Sequence, residues 1–81
     1  MRIVVKLFAI VRERLGVSEI ALELREGQTV ADLRRRLVES HGDAAPMLGK
    51  CAIAVNRVYA AGDAVLHEGD EVAVIPPVSG G

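Results

Sequence analysis

The chain has 81 residues, of which 51% are hydrophobic and 26% are charged, and its formal net charge is −1. This size and composition predict a single globular domain with a modest core and exclude a disordered chain. The slight acidity and the scarcity of aromatic residues, which are only Phe8 and Tyr59, argue against a nucleic-acid-binding surface.

Membrane, redox and metal signals are weak. No run is long and apolar enough to span a bilayer, and the first residues resemble a strand more than a signal peptide, so no membrane association is expected. Cys51 is the only cysteine, which excludes an intrachain disulfide and favours a reducing cytoplasm. Cys51 shares a predicted strand face with Ile53 and Val55, which favours a buried cysteine with a structural role.

His41 and His67 have no paired ligand spacing, so no metal site is expected.

The first part of the chain predicts a strand, a short helix and a second strand. Residues 3–8 are almost all apolar, which predicts a strand that is buried on both faces and central in its sheet. Residues 9–15 have helical spacing, and Gly16 is a suitable stop. Large apolar residues at 20, 22 and 24 alternate with Ala21, Glu23 and Arg25, which predicts a strand with one buried face.

A longer helix follows. Thr29 is a candidate N-cap, and Asp32 three residues later nearly matches a capping box. The helix closes at His41 and Gly42. Arg34, Arg35 and Arg36 form the one basic cluster, interpreted either as a solvated face or as a surface that steers an acidic partner. The apolar residues that share one face of this helix are Val30, Leu33, Leu37 and Val38.

The second half predicts three more strands. Residues 43–49 are expected to form a loop with at most one short turn, before a strand at 51–55. A turn at Asn56 and Arg57 leads to a short strand at 58–60. The final strand, 71–75, is followed by two prolines that cannot donate ladder hydrogen bonds.

This order predicts an α+β fold. The first two strands pair as a hairpin, the long helix must cover one face of the sheet, and the first and last strands lie side by side at its centre. A mixed sheet with one main helix packed across it is the β-grasp, or ubiquitin-like, arrangement. The predicted organisation is a β-grasp domain at 1–77 and a flexible tail at 78–81.

The last strand predicts an exposed apolar strip. If Val72 and Val74 point toward the helix, Ala73 and Ile75 point away from it, immediately before the prolines. Such a strip suggests a surface for a partner protein. The alternative is that the loop at 43–49 covers Ile75.

The final residues are Val78-Ser79-Gly80-Gly81. A diglycine can enter a slot too narrow for other residues, and its free carboxylate can react in another protein's active site. Four residues beyond Pro77 can extend roughly 13 Å. The alternatives are an inert frayed end or a scar left by proteolysis or cloning.

Three blocks of the sequence resemble the small subunit of molybdopterin synthase. They are Leu7-Phe8-Ala9 followed by Val11-Arg12-Glu13 and Gly16; Ala54-Val55-Asn56; and Gly69-Asp70-Glu71-Val72-Ala73, which runs into Pro76-Pro77-Val78-Ser79-Gly80-Gly81. The resemblance covers the whole chain and implies a β-grasp fold.

The resemblance also implies a function, that of a sulfur carrier. A ubiquitin-activating-like adenylyltransferase would use ATP to adenylate Gly81, and a sulfurtransferase would then convert it to a thiocarboxylate. The large subunit of the synthase, expected to form a heterotetramer with this chain, would receive the tail and transfer sulfur to cyclic pyranopterin monophosphate. This chain would bind no cofactor and would act as the non-catalytic sulfur-donor subunit.

The resemblance assigns a role to each residue of the expected site. Gly81 carries the reacting carboxyl and Gly80 provides clearance. The residues expected to contact partners are Ile75, Pro76 and Pro77 as docking anchors, Val78 and Ser79 along the partner's channel, and Phe8 and Arg12 in the opening block.

Three alternatives stay open. The first is a sulfur carrier for thiazole formation or tRNA thiolation. The second is a ubiquitin-like modifier, although Lys6 and Lys50 are the only lysines available for polymer building. The third is a β-grasp interaction module with an inert end.

Overall fold

The computed structural model describes residues 1–77, so the predicted tail lies outside the described residues. A mixed five-stranded sheet carries helices on one face. The elements in chain order are β1 (Arg2–Leu7), α1 (Ala9–Leu15), β2 (Glu19–Glu23), α2 (Val30–Ser40), a 3₁₀ turn (Gly42–Ala44), α3 (Ala45–Lys50), β3 (Ala52–Val55), β4 (Val58–Tyr59) and β5 (Glu71–Ile75). Within residues 1–77, none of the helices combines the length and apolar character needed to cross a membrane.

The strand order is β2-β1-β5-β3-β4. β1 and β2 form the predicted antiparallel hairpin, and β1 and β5 are parallel neighbours, with Val5 opposite Val72. β5 is the middle strand and also pairs antiparallel with β3. The predicted adjacency of the first and last strands is therefore confirmed, and it brings the end of the described chain beside its beginning.

The core lies between one face of the sheet and the helices. In β1, the side chains of Ile3, Val5 and Leu7 are buried, whereas Val4 and Lys6 on the alternate face are partly exposed. The prediction that β1 is buried on both faces was therefore wrong. The reason is that the helices cover only one side of the sheet, so apolar residues on its other side stay accessible.

The connection from β1 to α1 is tight. Phe8 is extended, with φ −129° and ψ 156°, and its carbonyl accepts hydrogen bonds from the backbone N–H groups of Val11 and Arg12. Ala9 then has φ 50°, in the left-handed region that a residue with a Cβ seldom adopts. The helix ends at the predicted Gly16, whose φ of 77° is typical of a glycine that terminates a helix.

The predicted capping box of α2 is confirmed. The Thr29 hydroxyl accepts from the Asp32 backbone N–H at 3.3 Å, and the Asp32 carboxylate accepts from the Thr29 N–H at 2.9 Å. These bonds satisfy donors at the helix start that would otherwise lack partners. The pKa of the Asp32 carboxyl is lowered, mainly by the Thr29 backbone bond. The helix ends at Ser40, and His41 occupies its C-cap.

The segment at 43–49 is helical, so the prediction of a loop was wrong. Pro46 lies in the first turn of α3, where a missing N–H costs nothing. Ala44 and Leu48, four residues apart, are buried in the core. The Arg34 guanidinium donates to the carbonyl oxygens of Leu48 at 2.7 Å and Cys51 at 2.8 Å, which satisfies acceptors at the end of α3.

A two-residue turn joins β3 to β4. Asn56 and Arg57 have φ 52° and 70°, as a type I′ turn requires. The Asn56 side chain donates to the Asp70 carboxylate at 2.9 Å and accepts from the Glu71 backbone N–H at 3.0 Å. These bonds attach the hairpin to the start of β5.

Candidate functional site

The sheet face opposite the helices carries the candidate site. Strand register places Lys6 of β1, Ala73 of β5, Ala54 of β3 and Tyr59 of β4 in one row across four strands. Because paired residues point to the same side of a sheet, these four side chains share one surface. They line a concavity of about 450 Å³, and the lining residues are Lys6, Phe8, Ala54, Arg57, Tyr59, Glu71, Ala73 and Ile75.

Apolar side chains form much of this concavity. Phe8 is 46% exposed and Tyr59 is 71% exposed, so the only two aromatic residues of the sequence both lie at this surface. Ala73 and Ile75 are partly exposed, whereas the alternate residues Val72 and Val74 are fully buried. The predicted outward direction of Ala73 and Ile75 is confirmed. An apolar concavity of this kind is suited to receiving apolar side chains of another protein.

The segment at 43–49 does not close this surface. Ala44 and Leu48 pack in the core with Val74, on the helix side of the sheet, and the segment contributes no residue to the concavity. The alternative that this segment covers Ile75 was therefore wrong. The face is open among the described residues.

The concavity borders the last strand at the point where the chain leaves the sheet. Ile75 ends β5, Pro76 is partly exposed and Pro77 is exposed. The predicted contacts Val78 and Ser79 and the predicted reacting residues Gly80 and Gly81 lie outside the described residues. Six residues follow Ile75 in the sequence, and a fully extended chain of that length spans roughly 20 Å.

A charged group forms one edge of the concavity. The Lys6 ammonium lies 2.9 Å from the Glu71 carboxylate, while the Arg57 Nε is 3.9 Å from the other oxygen of that carboxylate. The hydrogen bond between Lys6 and Glu71 raises the pKa of the lysine and lowers the pKa of the glutamate. Glu71 is thus paired mainly with Lys6. The Arg57 side chain is 89% exposed and lies farther from the Glu71 carboxylate.

Phe8 and Arg12, the two residues of the opening block that were predicted to contact partners, lie in different places in the structure. Phe8 lines the concavity, as expected of a partner contact. Arg12 is exposed on α1 and is absent from the lining residues, so the structure does not bring it to this surface.

A family model described as the ThiS family matches residues 5–81. The chain belongs to the ThiS family. Among its relatives, the molybdopterin synthase sulfur carrier subunit of Chlamydomonas reinhardtii is 39% identical over 83 residues, and the alignment covers 100% of both proteins. The resemblance to molybdopterin synthase small subunits is confirmed.

Solved structures of related proteins confirm the β-grasp, ubiquitin-like fold of this ThiS-family chain. SAMP1 from Haloferax volcanii superposes with a TM-score of 0.86 at 28% identity, covering 100% of both chains. A chain in the complex of subunits 1 and 2 of the molybdopterin-converting factor from Helicobacter pylori superposes with a TM-score of 0.72 at 26% identity, again over 100% of both chains.

Several residues of the site were missed by reading the sequence. Lys6 was assigned to a strand buried on both faces, although strict alternation from Ile3, Val5 and Leu7 places it on the open face. Arg57 was interpreted only as a turn residue. Its place at the concavity depends on the pairing of β3 with β5, which no local pattern reveals.

Cys51 is separate from this surface. Its side chain is 4% exposed and its thiol donates to the Met47 carbonyl at 3.2 Å. Burial raises the pKa of the thiol, so Cys51 is a neutral core residue at pH 7. Over residues 1–77, no group of three or more His, Cys, Asp or Glu side chains could hold a metal ion.

Proposed function

We propose that this chain is the sulfur-carrier small subunit of a molybdopterin synthase. The observation that carries the proposal is the full-length match to a molybdopterin synthase sulfur carrier subunit at 39% identity. The sequence supplies the group that the function needs, a diglycine at Gly80 and Gly81. Upstream of it, β5 supplies an open apolar face for a partner.

The proposed chemistry begins by activating the Gly81 carboxylate. This group is ionised at pH 7, because a terminal carboxyl has a pKa of about 3.3–3.7, and in that form it resists nucleophiles. In a ubiquitin-activating-like adenylyltransferase, its oxygen attacks the α-phosphorus of ATP and pyrophosphate leaves. Sulfur supplied by a sulfurtransferase at the oxidation level of hydrosulfide then attacks the acyl carbon, and AMP leaves. The product is a thiocarboxylate.

The second stage is delivery. The thiocarboxylate sulfur attacks a side-chain carbon of cyclic pyranopterin monophosphate, and a carbon–oxygen bond at that carbon breaks so that its oxygen substituent leaves with a proton from solvent or stays on the phosphate. Water then attacks the Gly81 acyl carbon, and the bond from that carbon to sulfur breaks. The Gly81 carboxylate is regenerated, and two such deliveries complete the dithiolene. This chain contributes the carrier group and its positioning, while the partner's closed pocket excludes water before transfer.

The large subunit is the proposed occupant of the concavity. The Helicobacter pylori structure holds subunits 1 and 2 of the molybdopterin-converting factor together, which supports an assembly of this kind for the present chain. Docking at Phe8, Tyr59 and Ile75 would bury two exposed aromatic side chains and one partly exposed aliphatic side chain, and it would direct Pro76, Pro77 and the tail toward the partner. A heterotetramer of two small and two large subunits is the proposed assembly.

The cytoplasm is the proposed location. The single cysteine is a buried thiol with no disulfide partner, and thiocarboxylate chemistry is compatible with a reducing compartment.

A second candidate is conjugation to target proteins, supported by the likeness to SAMP1. The same acyl-adenylate would then react with a lysine amine, with AMP leaving and an isopeptide bond forming. Conjugates of higher mass that survive treatment with a thiol reagent would identify this outcome, because thiols cleave a thioester but not an isopeptide bond.

Formation of the thiocarboxylate tests the proposal. The purified chain is incubated with its activating enzyme, ATP and a sulfur donor, and its intact mass is measured. We expect a gain equal to the replacement of one oxygen atom by sulfur, which requires ATP. Gly81→Ala should slow this gain or abolish it without altering the fold. Gly49→Ala is the matched control, because a Cβ there meets no atom within 4 Å. No gain in the wild-type chain with an active enzyme would contradict the proposal.

A further inference from the structure

The concavity contains more positive than negative charge. Its charged lining residues are Lys6, Arg57 and Glu71, two cations and one anion. The whole chain has a formal net charge of −1, so this local excess opposes the overall balance. A partner that buries this surface must therefore supply one negative charge or leave a cation desolvated without a counterion.

Arg57 is the cation available to a partner. Glu71 accepts a hydrogen bond from Lys6 at 2.9 Å, whereas its distance to the Arg57 Nε is 3.9 Å, too long for a hydrogen bond. The Arg57 side chain is 89% exposed, so its guanidinium keeps a planar set of donors free for a carboxylate.

The backbone conformation at Arg57 is unfavourable for a residue with a side chain. Its φ of 70° lies at the second central position of a type I′ turn, directly after Asn56, where glycine is the favoured residue. An L residue with a side chain is strained there. The backbone conformation therefore does not favour arginine over glycine at this position, and the Arg57 side chain lies at the rim of the concavity.

We propose that Arg57 is a specificity-determining residue that forms an ion pair with a carboxylate side chain of the large subunit. This inference rests on the proposed function, because it assigns the large subunit to the concavity. In the complex, the apolar residues supply buried area, and Arg57 selects a partner whose apolar patch has an acidic side chain beside it. A partner with a basic or apolar side chain at that point would leave the guanidinium unpaired.

Titration calorimetry with the cognate large subunit at low and high salt tests this pairing. Arg57→Gln should weaken binding about tenfold at low salt and reduce the salt dependence of the dissociation constant. Arg57→Lys should restore most of that salt dependence, since the charge is kept. Arg25→Gln is the matched control, because this exposed arginine lies in the turn after β2 and is not among the lining residues.

Arg57→Gly separates binding from folding. It creates an Asn-Gly turn, so its melting temperature should equal or exceed that of the wild type, while binding falls as in Arg57→Gln. Wild-type binding with no effect of either variant on affinity or salt dependence would overturn the role of Arg57 and leave the proposed function intact. Loss of binding in Arg57→Gln with unchanged salt dependence would also overturn the ion pair. Absence of wild-type binding would overturn the proposed function and this inference together.

Discussion

The ammonium of Lys6 and the carboxylate of Glu71, 65 residues apart in the chain, lie 2.9 Å from each other across the parallel pair of β1 and β5. The pair lies on the open face of the sheet beside the apolar concavity, and both side chains are partly exposed. It joins the first strand to the last at the surface proposed to receive a partner, so the same strand pairing that closes the fold also assembles the site.

Replacing Tyr59 should weaken partner binding without unfolding the domain. Its side chain is 71% exposed and lines the concavity, so Tyr59→Ala removes a large apolar contact and leaves no cavity in the core. Aromatic residues at the centre of interfaces often contribute about 2 kcal/mol, so affinity for the large subunit should fall by about thirtyfold.

The adjacent Val58 provides the matched control for that measurement. It is similarly exposed on β4 but is not among the residues of the concavity, so Val58→Ala should bind nearly as the wild type does. Equal losses of affinity in the two variants would contradict docking at this face.

Arg34 should contribute to the stability of the fold, whereas the adjacent Arg35 should contribute little. Arg34→Met removes two hydrogen bonds, to the carbonyl oxygens of Leu48 and Cys51, and should lower the free energy of unfolding by about 1–3 kcal/mol. Arg35→Met changes an exposed side chain that pairs with Asp32 at the surface and should alter stability by less than about 0.5 kcal/mol. Urea denaturation measures both. A stability loss in Arg34→Met no larger than in Arg35→Met would show that the carbonyl contacts contribute nothing.

The start of α2 offers a local test of the capping box. Thr29→Ala removes the hydroxyl that accepts from the Asp32 N–H, and it should lower the free energy of unfolding by about 1 kcal/mol. Thr29→Ser keeps the acceptor and should stay close to the wild type. If Thr29→Ser lost as much stability as Thr29→Ala, the hydrogen bond would not be the cause.

Stability should fall on acidification. Hydrogen bonds from Asn56 and from the His67 backbone lower the pKa of the Asp70 carboxyl below its ordinary value of 3.8. A carboxyl whose pKa is lower in the folded state stabilises the fold above its unfolded pKa, and that contribution is lost as the pH falls through the folded value.

The corresponding measurement is thermal unfolding of wild-type and Asp70→Asn chains between pH 7 and pH 2. Asp70→Asn should be less stable at neutral pH and should approach the wild type as the pH falls below about 4. A constant difference between the two melting temperatures over the whole range would contradict the proposed contribution of the charge.

Much of the fold could be predicted because its signals are local. Residues 9–15 and 71–75 have the predicted bounds, and the Thr29–Asp32 capping box is present as expected. The helix at 45–50 was missed because its stabilising contact is not local: the Arg34 side chain satisfies carbonyl groups 14 and 17 residues away. Short helices depend on such tertiary contacts more than on propensity.

The site could be predicted only in part, for the same reason. Alternation in β5 placed Ile75 on the open face, and the resemblance added Phe8. Lys6 was missed because β1 was predicted to be buried on both faces. Arg57 and Tyr59 reach that surface through the order β1-β5-β3-β4, which depends on long-range pairing. The left-handed backbone at Ala9 and Arg57 was also missed, because neither position carries the glycine that normally indicates such a conformation.

Delivery of sulfur is the most direct test of the central claim. The thiocarboxylated chain is mixed with the cognate large subunit and cyclic pyranopterin monophosphate, and the intact mass of the chain is followed beside the appearance of the dithiolene. We expect the mass increase due to sulfur to disappear as the dithiolene forms. This loss should occur only when both the large subunit and the pterin substrate are present. A thiocarboxylate that persists with an active large subunit and its pterin substrate would contradict the molybdopterin synthase assignment.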